Sequence, residues 1–187
     1  MPSSLSGKTV AILVTDGFEQ VEMTEPRRAL DAAGARTVLV SPAGEHVRAW
    51  RFTEWGDTFP VDMPLDAALT AGFDALLLPG GVMNPDKLRL VPEAIFLVKR
   101  LVGEGKPVAA ICHAAWTLIS ADLVRGVTLT SWPSLEHDLA NAGATWVNKA
   151  VVKDGFLVSS RNPGDIPEFN PAMIEHFASA PVRAAAE

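Results

Sequence analysis

The sequence predicts a doubly wound α/β protein, a mostly parallel sheet with helices on both faces. Three observations carry that prediction. Short apolar runs alternate with amphipathic segments along the 187 residues, the order that repeated strand–helix units produce. The runs at 9–14 and 74–78 are almost continuously apolar, as strands covered on both faces are. Turn-forming or chemistry-bearing segments follow three of the runs: Asp16-Gly17-Phe18-Glu19, Gly80-Gly81 and Cys112-His113. Sites in such sheets lie at the carboxyl ends of the strands.

Residues 9–14 supply the first strand. A helix is predicted from about residue 19 to 33, closed by Gly34 as a C-cap. The second strand is 37–40. Residues 47–61, a mixed segment with Trp50 and Trp55, read as a hairpin or an excursion. The third strand, 74–78, ends at Pro79-Gly80-Gly81. Residues 92–102 fit a helix with Pro92 in its first turn. The fourth strand is 107–111, and residues 114–123 form the helix after it. A helix is expected at 134–141, with Gly143 beyond its end. Strands at 150–152 and 156–159 flank an Asp154-Gly155 turn. The last helix is 171–179, and the tail at 184–187 is expected to fray. The whole chain, 1–187, reads as one domain.

Composition narrows the function. Hydrophobic residues make up 48% and charged residues 20%, values of a globular chain with a sizeable core. The net charge of −6, with no basic stripe, argues against a nucleic-acid partner. A single cysteine excludes an intrachain disulfide and fits a reducing cytoplasm. No charged leader precedes an apolar run at the start, so no secretory signal is expected. No apolar stretch approaches the ~20 residues of a membrane span.

Cys112 sits where the fourth strand turns into a helix. A nucleophile elbow needs small residues two before and two after the nucleophile, here Ala110 and Ala114. The following helix favours thiolate over thiol. The alternative is a buried cysteine that only fills space. Glu19 follows the first strand as Cys112 follows the fourth, so the fold could bring them together. A protonated Glu19 would then donate to the sulfur. Glu22 and Glu25 read instead as helix-face carboxylates stabilised by the dipole. Gly81 and His113 could offer N–H groups to an oxyanion, or Gly80-Gly81 could be a tight strand exit. His113 is a candidate base whose side chain meets Cys112 only if the elbow departs from helical geometry. His46, His137 and His176 carry no companion motif, and no cluster has metal-ligand spacing, so neither metal nor cofactor is expected. Trp50, Trp55, Trp116, Trp132 and Trp146 read first as suppliers of buried area, with the lining of an interface or pocket as the alternative.

The segments Phe18-Glu19-Gln20-Val21-Glu22, Asp74-Ala75-Leu76-Leu77-Leu78-Pro79-Gly80-Gly81, Gly105-Lys106-Pro107-Val108-Ala109-Ala110-Ile111-Cys112-His113, Asn141-Ala142-Gly143-Ala144 and Ser159-Ser160-Arg161-Asn162-Pro163 occur in this order. Together they make the chain resemble the PfpI intracellular-protease-like family. That superfamily also holds the parkinsonism-associated deglycase and the class I glutamine amidotransferase domains. The resemblance spans about residues 8–178. It implies a flavodoxin-like three-layer sandwich, an elbow cysteine hydrogen-bonded by a protonated glutamate (Cys112 and Glu19), and homo-oligomers, dimers with hexamers in some members. In protease-like members an acid from a neighbouring subunit completes a Cys-His-acid triad, and Asp86 occupies that segment here. Ala114-Ala115 stands where members often have Gly-Pro, and Asp86 is shorter than the archetype's glutamate.

The expected function is a cytoplasmic, stress-associated cysteine hydrolase. Its substrates would be peptides or small carbonyl and glycated compounds, giving protease, deglycase or glyoxalase activity. The alternative is a non-hydrolytic protein that senses oxidants through Cys112, with chaperone-like binding.

Overall fold

A computed structural model of the protein describes residues 4–179. The tail at 184–187 lies outside the described residues. In chain order the elements are β1 (Thr9–Leu13), α1 (Gln20–Ala32), β2 (Arg36–Ser41), β3 (His46–Arg51), β4 (Glu54–Pro60), β5 (Met63–Pro64), α2 (Leu65–Ala68), β6 (Ala75–Leu78) and α3 (Met83–Leu88). They continue as α4 (Pro92–Gly103), β7 (Val108–Ile111), α5 (Ala115–Ser120), β8 (Thr128–Leu129), α6 (Glu136–Asn141), β9 (Thr145–Trp146), β10 (Val151–Asp154), β11 (Leu157–Ser160) and α7 (Ile166–Ser179).

Seven strands form one sheet in the order β10-β11-β7-β6-β1-β2-β5. Every pairing is parallel except that of β10 with β11. The chain runs outward from β1 through β2 and then returns to place β6 on the other side of β1. Strand order therefore reverses between β1 and β6, which opens a crevice at their carboxyl ends.

The apolar runs divide their side chains between two cores, as a period of two requires. Ala11 and Leu13 face one cluster with Leu76, Leu78, Val108 and Ala110. Val10, Ile12 and Val14 face the other with Ala75, Leu77, Ala109 and Ile111. Helices α2 to α6 cover the first face, with Leu97, Leu101 and Leu118 fully buried. Helices α1 and α7 cover the second through Met23, Leu30, Phe169, Met173 and Phe177. The result is the flavodoxin-like three-layer sandwich.

Residues 47–61 resolve as a hairpin: β3 and β4 pair antiparallel outside the main sheet, with a register shift between Arg48 and Trp50. Helix α7 starts at Ile166, earlier than the expected residue 171. The Asn162 side chain accepts from Gly164 N–H at 2.9 Å and leads into a 3-10 turn at Pro163–Asp165. The helix then runs through Pro171, whose ring removes one backbone donor. The helix after the fourth strand is shorter than expected. It ends at Ser120, and Asp122 then takes a left-handed φ of 55°.

Candidate active site

Strand β7 delivers Ile111 in extended conformation, and the next residue breaks the pattern: Cys112 has φ +63°. A side chain in that left-handed region costs about 1–3 kcal/mol and persists only where the surroundings enforce it. The turn continues as a 3-10 segment, Cys112–Ala114, before α5 begins. It holds the thiol at the carboxyl edge of the sheet, 6% exposed. Ala110 and Ala114 flank it as small, buried residues, in the pattern an elbow needs. The backbone N–H groups of His113 and Gly81 both hydrogen-bond the sulfur and favour its thiolate.

Two glycines make this approach possible. A Cβ on Gly80 would lie 2.5 Å from Glu22 Oε2 and 2.7 Å from both Cys112 Cβ and the Ile111 carbonyl oxygen. Gly81 has φ +78°, and a Cβ there would lie 2.6 Å from the Gly17 carbonyl oxygen. Gly80-Gly81 is thus more than a strand exit, because it lets the β6 and β7 turns close on one another.

The acid that reaches the sulfur is Glu22, not Glu19. Glu22 is fully buried on the inner face of α1, and its carboxyl shares a hydrogen bond with Cys112. Oε2 accepts from Gly80 N–H at 2.9 Å, the Gly81 N–H also points to the carboxyl, and Oε1 is without a close hydrogen-bond partner among the described residues. Burial raises its pKa to about 8, so at neutral pH it carries a proton that it can donate to sulfur. Burial also raises the thiol of Cys112, and an ionised Glu22 raises it further. A thiolate and an ionised Glu22 would repel one another, so the two groups titrate as a coupled pair. Glu22 stands in the place expected for Glu19 for a geometric reason. Glu19 stands at the N-cap of α1, and the residue three further on shares its side of the helix one turn deeper.

Cys112 Sγ lies 3.2 Å from His113 Nδ1. Side chains of adjacent residues diverge on a regular helix, and the left-handed Cys112 is what brings them together. Burial lowers the His113 pKa to about 4, so the imidazole is neutral at pH 7. Its ring stacks on Trp132, with centroids 5.7 Å apart, and meets Trp116 edge-on at 5.2 Å.

Above the thiol opens a pocket of about 820 Å³. Glu19, Trp50, Phe52, Val82, Met83, Trp132 and the turn Asn162-Pro163-Gly164 line it together with the residues above. Glu19 therefore does reach the site, as part of its wall. Among the described residues its carboxylate accepts only the Phe52 N–H, at 3.2 and 3.4 Å to its two oxygens. Burial raises its pKa, against the pull of that N–H. Trp50 and Trp132 are pocket-lining residues, the alternative to mere buried area. Phe52 has φ +56° at the hairpin tip and is 66% exposed. Asp86 lies on the exposed side of α3 and does not line the pocket.

Among the described residues no group of three or more His, Cys, Asp or Glu is placed to hold a metal ion. No helix among them is long and apolar enough to cross a membrane.

A strained cysteine at the switch edge of a doubly wound sheet, met by a buried carboxyl, defines the class of elbow-cysteine α/β proteins. Residues 8–176 match the DJ-1/PfpI family, and the chain belongs to it. It is 41% identical over 162 residues to a deglycase of Pyrococcus abyssi, covering 84% of this chain and 92% of that one. It is 40% identical over 165 residues to protein/nucleic acid deglycase 2 of Escherichia coli, covering 87% and 94%. A Bacillus subtilis protein named as a putative cysteine protease is 38% identical over 164 residues, covering 87% and 94%. The crystal structure of Drosophila melanogaster DJ-1beta superposes with a TM-score of 0.85 at 30% identity, covering 93% of this chain and 91% of that one.

Proposed function

We propose that the protein is a cytoplasmic cysteine hydrolase that acts on small carbonyl, glycated or peptide substrates, with Cys112 as nucleophile. The observation that carries this reading is the strained Cys112 at the floor of a pocket, with two N–H donors and the Glu22 carboxyl on its sulfur. The names of the relatives, deglycase and cysteine protease, support the same reaction class.

For an acyl substrate, the thiol proton passes to His113 Nδ1 and the thiolate attacks the carbonyl carbon. A sulfur–carbon bond forms, and the carbonyl electron pair moves onto oxygen. The sulfur then carries no charge, so the Gly81 and His113 N–H groups turn to the oxyanion. Collapse restores the carbonyl and breaks the bond to the leaving amine, which takes the proton from His113. Water hydrolyses the thioester, and the acid and the free thiol result. Protonated Glu22 keeps a second negative charge away from the sulfur throughout.

Wild type assayed for methylglyoxal loss, deglycation and peptide cleavage beside Cys112→Ala, Glu22→Gln and His113→Ala tests the reading. Equal rates for wild type and Cys112→Ala on every substrate overturn it. A second reading, peroxide sensing, draws support from the unpartnered Glu22 Oε1, whose proton would serve an oxygen on oxidised sulfur. Intact mass after mild peroxide tests it, and absence of oxygen addition at Cys112 removes it. We further propose a homo-oligomer in which Asp86 of a neighbouring copy approaches His113. Its exposed place on α3 leaves it available for that contact, and loss of the oligomer in Asp86→Arg is the expected result.

A further inference from the structure

The pocket holds an unbalanced charge. Of its lining residues Glu19 is the carboxylate open to the cavity, the buried Glu22 keeps its proton at neutral pH, Cys112 forms a thiolate when active, and His113 is neutral at pH 7. No lysine or arginine lines it among the described residues. Glu22 is committed to Gly80 and the sulfur, whereas Glu19 is not committed in the same way. Its two oxygens share one backbone donor at long range, and a carboxylate offers about four lone-pair positions. The same wall carries the aromatic side chains of Trp50, Phe52 and Trp132. Aromatic faces attract a cation, ammonium and guanidinium alike. A carboxylate among aromatic rings, with no basic side chain to neutralise it, accepts a positive group and repels an anion.

We propose that Glu19, with Trp50, Phe52 and Trp132, forms a subsite that selects substrates carrying a cationic group, ammonium or guanidinium, beside the carbon that Cys112 attacks. This rests on the reading of the pocket as the substrate site of Cys112, and it adds the charge class of the substrate. Glu19 is then a specificity residue, and its hydrogen bond from Phe52 fixes the carboxylate in the wall.

The test reads the subsite through Cys112 without requiring turnover. Rates of Cys112 modification are measured by intact mass with three methanethiosulfonate reagents: trimethylammonium-ethyl (cation), hydroxyethyl (neutral) and sulfonatoethyl (anion). Each rate is divided by that of free 2-mercaptoethanol. The expected result is a cation-over-anion ratio that falls about tenfold in Glu19→Gln, as removal of one nearby charge in a partly dry site implies. Trp132→Leu lowers the cation-over-neutral ratio. Glu175→Gln, an exposed change on α7, keeps the wild-type ratios and controls for net charge. Equal ratios in wild type and Glu19→Gln overturn the proposal. That outcome is distinct from failure of the hydrolase reading, which shows as turnover independent of Cys112.

Discussion

Cys112 and His113 are neighbours in sequence whose side chains meet at 3.2 Å, sulfur to Nδ1. Only the left-handed backbone of Cys112 allows this, because a regular helix would direct the two side chains apart. The strain is therefore what creates the thiol–imidazole contact.

That contact predicts how His113 behaves. His113→Ala is expected to lower kcat/KM by roughly 10²-fold, the lower range of general acid–base contributions. Burial lowers its pKa from 6.5 to about 4, so its neutral form contributes stability that is present above pH 6.5. That contribution is lost as pH falls toward 4. Urea unfolding should show the acid limb of wild type flattened in His113→Ala, and superimposable limbs would remove the assignment.

Glu22 predicts the opposite limb. Its pKa is 4.5 by default and about 8 in the fold, so the neutral carboxyl's contribution is complete below pH 4.5. It declines as pH rises toward 8. In a Cys112→Ala background, where the carboxyl titrates without its partner, Glu22→Gln should abolish this decline. Urea midpoints that stay level in the parent across this range would contradict it.

Strain at Cys112 has a signature of its own. Glycine adopts a left-handed φ without penalty, and alanine does not. Cys112→Gly should therefore be more stable than Cys112→Ala by about 1 kcal/mol, despite its greater unfolded-state freedom. Thermal or urea unfolding of the two inactive variants checks the order.

Gly80→Ala should damage the site and the fold together. Its Cβ would press on Glu22 Oε2, Cys112 Cβ and the Ile111 carbonyl at once. A loss of about 1–3 kcal/mol is expected, as for overpacking elsewhere, with loss of Cys112 reactivity toward alkylating reagents. Retained reactivity at wild-type stability would show that the two turns can separate.

Fold and nucleophile were readable in the sequence because their signals are local. Buried strands show as unbroken apolar runs, and the elbow shows as small residues around Cys112. The acid was harder to find. Glu19 and Glu22 are both glutamates of one amphipathic segment, and which reaches the sulfur depends on where α1 starts and how it meets the Gly80-Gly81 turn after β6. Trp50, Phe52 and Trp132 escaped for another reason. They come from the hairpin and from the loop after β8, and composition does not reveal which cavity an aromatic side chain faces. The start of α7 is not legible locally, because Pro171 reads as a first-turn residue although it lies inside the helix.

The β3–β4 hairpin stands outside the seven-stranded sheet, yet it supplies Trp50 and Phe52 to the pocket and an N–H donor to Glu19. The hairpin that roofs the pocket and the elements that hold the reactive groups are therefore separate pieces of chain. The nucleophile and its acid are built into β7 and α1, where any change disturbs the core. The roof is a surface loop whose tip can be lengthened, shortened or rewritten while the thiol stays in place. Grafting new tips between residues 50 and 55 is thus a route to new substrate ranges on an unchanged reactive centre.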